Sequence, residues 1–263
     1  MSYGPRPWQQ TNWDWRAAAN FMLGGTGAGL IVAAGFVQDQ AHYQVMLALI
    51  LVAAGLGAVW LEIGRKLRAL HVFFNPFTSW MTRESLAAAA LFAFGISHLA
   101  FRQPWTQFAA ALAALAFVYC QARILRAAKG IPAWRAPEVV PLVLATSLAE
   151  GAGLALLFEP DSFALALFVA ALLGRAMAWL DYRSALAQHP GRSALESAGK
   201  WLIRVGTLVP LALVLGGIFH PQAAIFAAIA AILTGWWFKF VLVTRAALNQ
   251  GFSLPQLPAR GVR

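Results

Sequence analysis

The stretch QVMLALILVAAGLGAVWLEI, Gln44–Ile63, holds one charged side chain, Glu62, in twenty residues. About 20 mostly apolar residues are what a helix needs to cross the hydrocarbon core of a bilayer. A membrane-barrel strand would alternate apolar with polar, and this run does not. Seven further runs of the same kind share the chain: Ala17–Val37, Ser85–Phe101, Thr106–Ala122, Val139–Phe158, Phe163–Leu180, Leu202–Phe219 and Ala223–Leu242. Over 263 residues the composition is 60% hydrophobic and 11% charged, with a mean hydropathy of +0.64. Soluble domains carry roughly 25% charged residues. The pattern predicts an all-α, polytopic membrane protein of eight transmembrane helices with almost no soluble domain.

Charge sets the expected orientation. Of the 20 Lys and Arg, 17 fall in the two termini and the second, fourth and sixth links, and Arg102 stands alone on the other side. Short links rich in Lys and Arg stay in the cytoplasm, so both termini are expected there, with the chain in a bacterial inner membrane. The net charge of +10 does not point to nucleic acid, because the basic residues are scattered through short gaps rather than gathered on a folded face. Met1–Arg16 carries Pro5, Pro7, Trp8, Trp13 and Trp15 before any apolar run, unlike a cleaved signal peptide, so the first helix is expected to be retained. With Cys120 as its single cysteine, the chain has no disulfide or cysteine-ligated cluster to offer by itself.

An ordered set of matches suggests an internal duplication. Gly27-Ala28-Gly29-Leu30 returns as Gly151-Ala152-Gly153-Leu154, and Trp60-Leu61-Glu62 as Trp179-Leu180-Asp181. Gly95-Ile96-Ser97-His98 is echoed by Gly217-Ile218-Phe219-His220, and Arg126-Ala127-Ala128 by Arg245-Ala246-Ala247. The expected organisation is a cytoplasmic segment at 1–16, a first four-helix bundle at 17–126 holding the site, a second at 127–245, and a tail at 246–263. Four helices is an even number, so the two bundles would be parallel, not inverted as in many secondary transporters.

Helical spacing puts Asn20, Gly24 and Gly27 on one face of the first helix, suited to close packing or to the approach of a flat ring. Ionisable groups within spans need a partner or a task. Glu62, Asp181 and Lys239 read as interfacial side chains; Glu150 and Arg175 lie deeper, and Arg175 is expected to pair with Glu150 or Asp181. Tyr119, Gln121 and Arg123 end the fourth helix at a level where they can bond a carbonyl. His42, His71 and His189 fall in links and His98 and His220 at helix ends, so no facing pair suggests a haem, and none is expected. No phosphate loop or HExxH motif is present.

Four stretches carry a resemblance: PWQQTNWDW at 7–15 leading to Asn20, NPFTSWMTRE at 75–84, IPAW at 131–134, and NQGF at 249–252 with Pro255, Pro258 and Gly261. They resemble the NrfD-like membrane anchor subunits related to polysulfide reductase, and within these the phenylacetyl-CoA:acceptor oxidoreductase membrane subunit. The resemblance implies an anchor that binds ubiquinone or menaquinone and docks an iron-sulfur subunit, which joins a molybdopterin catalytic subunit; the basic links put these partners on the cytoplasmic side, a departure from relatives whose catalytic subunits face the periplasm. Given a quinone near the cytoplasmic face, similar depth along the first and fourth helices makes Asn20, Gly24, Tyr119 and Arg123 the candidate quinone-binding residues. Glu62, Glu150 and Arg175 form a possible proton relay, and Ser79, Trp80, Arg83, Glu84 and Trp134 are the docking residues. The alternative is a solute or ion transporter. Reporter fusions at Arg263 are expected to be active in the cytoplasm; activity confined to the periplasm overturns the orientation.

Overall fold

The computed structural model describes residues 6–36, 41–63, 71–158, 160–186, 191–217 and 222–251. Among these residues there is no strand, only an isolated antiparallel bridge between Gln9 and Leu248. Eight helices are long and apolar enough to cross a membrane: α1 (Trp15–Ala34), α2 (Ala41–Glu62), α3 (Trp80–Phe101), α4 (Pro104–Ala127), α5 (Val139–Phe158), α6 (Ser162–Ala185), α7 (Arg192–Val214) and α8 (Gln222–Arg245). The chain is therefore an all-α, multi-pass membrane protein. Its outward faces are apolar, as lipid requires, with Phe101, Phe108, Ile50 and Phe226 exposed.

Local chemistry explains most helix ends. Ser79 caps α3, its hydroxyl accepting from the Thr82 N–H at 3.3 Å, so the helix begins five residues before the apolar run at Ser85. Asp14 caps α1 and is bonded by the Arg16 side chain, which holds its carboxyl below the ordinary carboxylate value. Pro104 sits in the first turn of α4, where its missing N–H costs nothing. Helix α7 starts at Arg192, ten residues before the predicted Leu202. Its first part is amphipathic: Glu196 bonds Arg192 at 3.0 Å while Leu195, Ala198 and Leu202 are buried, a pattern that an apolar-run criterion misses. The predicted ends at Val37 and Phe219 lie outside the described residues.

Helices α1 and α5 form the centre. Each touches the other, and both touch α4 and α8; α3 packs along α4, and α7 along α8. The α1–α5 crossing is a contact of backbone on backbone. A Cβ at Gly29 would overlap the Ser147 carbonyl, and one at Gly151 would overlap the main chain of Gly29 and Leu30. Small residues are what let two helices approach so closely without a hydrophobic drive between them.

Among the described residues three stretches widen into π-helix: Asn20–Gly24, Arg204–Leu208 and Val241–Arg245. In each, a carbonyl accepts from a buried side chain of another element: Asn20 O from Gln121 at 3.1 Å, Gly206 O from Arg175, and Leu242 O from Trp134 at 2.7 Å. Widened turns leave carbonyls short of their usual partner, and in lipid only protein can supply one. Gly151→Ala is expected to destabilise the protein by about 1–3 kcal/mol or more through overpacking, whereas Gly57→Ala, with nothing within 4 Å of its new methyl, should be neutral. Thermal unfolding in detergent distinguishes the two.

Candidate functional site

At the end of the bundle where α1 begins and α2 finishes lies a cavity of about 390 Å³, within the roughly 300–1,000 Å³ usual for small-molecule sites. Trp13, Phe21, Leu56 and Val59 give it apolar walls, and its polar groups are Asn20, Glu62, Glu84 and Ser85. Asn20 is placed by the widened turn at the start of α1. Its amide nitrogen donates to Glu84 Oε1 at 3.0 Å, and both side chains are buried. The Asn20 Oδ1 and Gln121 Oε1 atoms are buried with no protein donor. Gly24 makes the arrangement possible, since a Cβ there would stand 2.9 Å from Asn20 Oδ1 and 3.2 Å from Gln121 Nε2.

Tyr119 and Arg123 are not part of this cavity. They face outward with Trp80: Arg123 donates to the Tyr119 hydroxyl at 2.7 Å and lies 4.3 Å from the Trp80 ring, with Arg83 4.2 Å from the same ring. Arg83 is further fixed by the carbonyls of Pro76 and Phe77 at 2.8 and 2.6 Å. Two residues read as quinone ligands and two read as docking residues thus form one cation–π cluster on the flank of α3 and α4. Glu84, grouped by sequence with the docking residues, turns inward to Asn20. Trp134 is also buried, its ring tilted against that of Trp13 with centroids 5.0 Å apart and its indole N–H donating to the Leu242 carbonyl. Position i+1 on a helix turns about 100° away, so Arg83 and Glu84 cannot share a task on one face.

The deep charges form a separate cluster. Lys239 Nζ meets Glu150 Oε2 at 2.6 Å, and both are buried. Thr26 donates to the same oxygen at 2.7 Å and accepts from Trp236 at 2.8 Å, while Lys239 also donates to Ser147 at 2.9 Å. Arg175 pairs with neither Glu150 nor Asp181. Its guanidinium bonds the carbonyls of Ala231, at 3.0 Å, and Gly206, with Thr207 at 3.4 Å. Lys239 is accordingly a core cation rather than an interfacial one. Of the proposed relay residues, only Glu62 lines the cavity. His98 is buried at the other end of α3 beside the Gln103 carbonyl, and His189 and His220 lie outside the described residues. Among the described residues, no three His, Cys, Asp or Glu are grouped to hold a metal ion.

The surface beside the cavity is built from both ends of the chain. Gln10 N–H donates to Ala247 O, Asn249 N–H to Trp8 O and Gln250 N–H to Gly130 O, at 2.8–2.9 Å. These ties frame an open hollow of about 500 Å³ whose lining includes Trp8, Asn12, Trp13, Trp134 and Asn249. Trp13 lines both the hollow and the inner cavity. No sequence pattern announced Trp13 as a shared wall, although its place in the 7–15 stretch marks it for attention.

A multi-pass helical membrane protein with a polar-floored cavity near one membrane face is the class these features define. No family model matches the chain. It is similar to a sulfite dehydrogenase component from Allochromatium vinosum, 33% identical over 159 residues. The match covers 48% of this chain and 49% of that protein, so the chain spans about half the length of the curated relative it matches. The similarity is thus to one subunit of a redox enzyme.

Removing one partner of a buried ion pair leaves the other charge uncompensated, at a cost of about 3–5 kcal/mol. Lys239→Met should therefore lower thermal stability in detergent markedly, and adding Glu150→Gln should recover a large part of the loss. An unchanged melting temperature in Lys239→Met would show that the pair carries no such weight.

Proposed function

We propose that this chain is the quinone-binding membrane subunit of a multi-subunit oxidoreductase, passing electrons between a partner iron-sulfur subunit and the membrane quinone pool. The observation that carries the reading is the cavity: apolar and aromatic walls with Asn20 and Glu84 bonded together at one end and Glu62 beside them. A flat ring with two carbonyls matches apolar walls and a few polar contacts. When bound, a quinone supplies a two-electron, two-proton couple. Asn20 orients a carbonyl or hydroxyl, with Glu84 fixing the Asn20 amide. Glu62 and Glu84 are the carboxyls within the same cavity that exchange protons with it.

The partner is proposed to dock over the hollow framed by residues 7–13, 130–134 and 247–250, with Trp13 between it and the cavity. The Trp80, Arg83, Tyr119 and Arg123 cluster adds a basic, aromatic flank for an acidic partner surface. The basic links favour the cytoplasmic side for this face. Similarity to a sulfite dehydrogenase component makes a sulfite-oxidising partner one reading, and the acyl-CoA resemblance another. In either, the substrate is handled by the catalytic partner. The two four-helix units are proposed as parallel duplicates, a reading supported by matching contacts: α1–α2, α2–α3, α3–α4 and α4–α1 in one set, and α5–α6, α6–α7, α7–α8 and α8–α5 in the other.

A second reading, ion transport, draws on the buried Glu150, Lys239 and Arg175, because charges within a membrane often mark ion paths. Flux in liposomes holding the chain alone separates the two. Asn20→Leu is expected to weaken quinone binding about tenfold, equivalent to about 1.4 kcal/mol, and to impair quinone-coupled turnover of the complex while sparing turnover with a soluble artificial acceptor. Equal loss in both assays, or none in either, removes Asn20 from the site.

A further inference from the structure

We propose that the cleft between α2 and α3 is the lateral mouth of the cavity, through which the isoprenoid tail of the bound quinone passes into the bilayer. The inference rests on the quinone reading above and adds the route by which the ligand is held and exchanged. A cavity of about 390 Å³ has room for a ring but not for a long polyisoprenoid chain. Each methylene taken out of hydrocarbon into water is opposed by about 0.8 kcal/mol, so the tail must stay in lipid while the ring sits among the polar groups.

The seams around the cavity differ in one respect. Helices α1 and α2 are in near-backbone contact, with a Cβ at Gly55 falling 2.9 Å from the Gly24 nitrogen. Helices α3 and α4 pack along their length. Helices α2 and α3 touch far less than either of those pairs, and they meet where Leu49 covers Gly95, whose added Cβ would lie 2.9 Å from a Leu49 methyl. Gly95 is near the end of α3 remote from the cavity. At the other end of the pair the cavity is lined from both helices, by Val59 on α2 and by Met81 and Ser85 on α3. Met81 and the neighbouring Trp60 are exposed to the surroundings of the bundle at 46% and 45%. Val59, Trp60 and Met81 give the rim an apolar side, with the Ser85 hydroxyl and, at the end of α2, the Glu62 carboxyl as its polar groups, while Asn20 and Glu84 lie farther in and are buried. The buried polar pair and the largely apolar rim are thus arranged in the order in which a quinone carries its ring and its tail.

The test uses the full chain in lipid nanodiscs and reads quinone binding by quenching of tryptophan fluorescence, Trp13 and Trp60 being at the cavity. Two probes are compared, a long-tailed quinone and the same ring without a tail. Ser85→Trp narrows the mouth, and the ratio of long-tailed to tailless affinity is expected to fall at least tenfold. Asn20→Leu, at the ring end, should weaken both probes and leave the ratio unchanged. If Ser85→Trp leaves the ratio unchanged, whether both affinities fall together or neither moves, the cleft is a lipid-filled surface groove and the mouth is elsewhere. Met81→Trp, on the same rim, is read by the same ratio should Ser85→Trp fail to elute as a folded protein. Failure of the unaltered chain to bind either probe overturns the quinone reading itself, an outcome distinct from failure of the mouth.

Discussion

The Lys239–Glu150 pair is the constraint around which the helices are arranged. Within lipid no water is at hand to solvate a stray charge, so each ionised group must be answered by protein. Glu150 is answered by Lys239 from α8 and by the Thr26 hydroxyl from α1, and Lys239 is held in turn by Ser147. Three helices are thereby locked at one level, with Trp236 closing the set through Thr26. Arg175 is solvated differently, by main-chain carbonyls, one of which the widened turn of α7 presents. The same economy recurs wherever a helix widens: a carbonyl is turned aside and a buried side chain from another element meets it.

That locking explains why the α1–α5 crossing must be so close. Thr26 reaches Glu150 only because Gly29 and Gly151 let the two backbones touch one helical turn beyond. Polar contact and glycine contact therefore depend on each other. A larger side chain at either glycine would separate the helices and lengthen the bond, and loss of the bond would leave a carboxylate without one of its donors.

Much of the fold was legible because the bilayer imposes a length and an apolar composition that few other environments demand. The run Gln44–Ile63 alone sets the scale, and all eight spans correspond to helices. The amphipathic start of α7 was not legible, since its Arg192, Glu196 and Lys200 break an apolar run while still forming one solvated stripe. The site was legible in part: Asn20 and Gly24 stood out from their spacing, and Glu62 from its place at a helix end. Glu84 did not, because depth along a helix can be counted from sequence whereas azimuth cannot. The residue beside a surface arginine looks like surface, although one step turns it by about 100°. Lys239 misled in the same way. At six residues from the end of α8 a lysine can snorkel or pair, and only its facing neighbour on α5 decides between them. Tyr119 and Arg123 have the right depth but turn toward Trp80, a partner supplied by another helix.

Helix α1 is shared by the ionic cluster and the cavity, and the spacing between them has a mechanical meaning. Thr26 and Asn20 are six positions apart, or roughly 9 Å of helix rise at 1.5 Å per residue, and the widened turn Asn20–Gly24 lies between them. A regular helix would fix the azimuth of Asn20 from that of Thr26. The extra residue in the wide turn shifts it, and Gln121 holds the shifted carbonyl in place. The cluster thus anchors α1 against α5 and α8, while the wide turn swings its first residues toward α2, α3 and α4. The tight contact lies at the middle of this helix and the cavity-facing amide at its end. The floor of the cavity is therefore less tightly held than the buried charges, because a wide turn held by one side chain yields more readily than a crossing in which backbones touch.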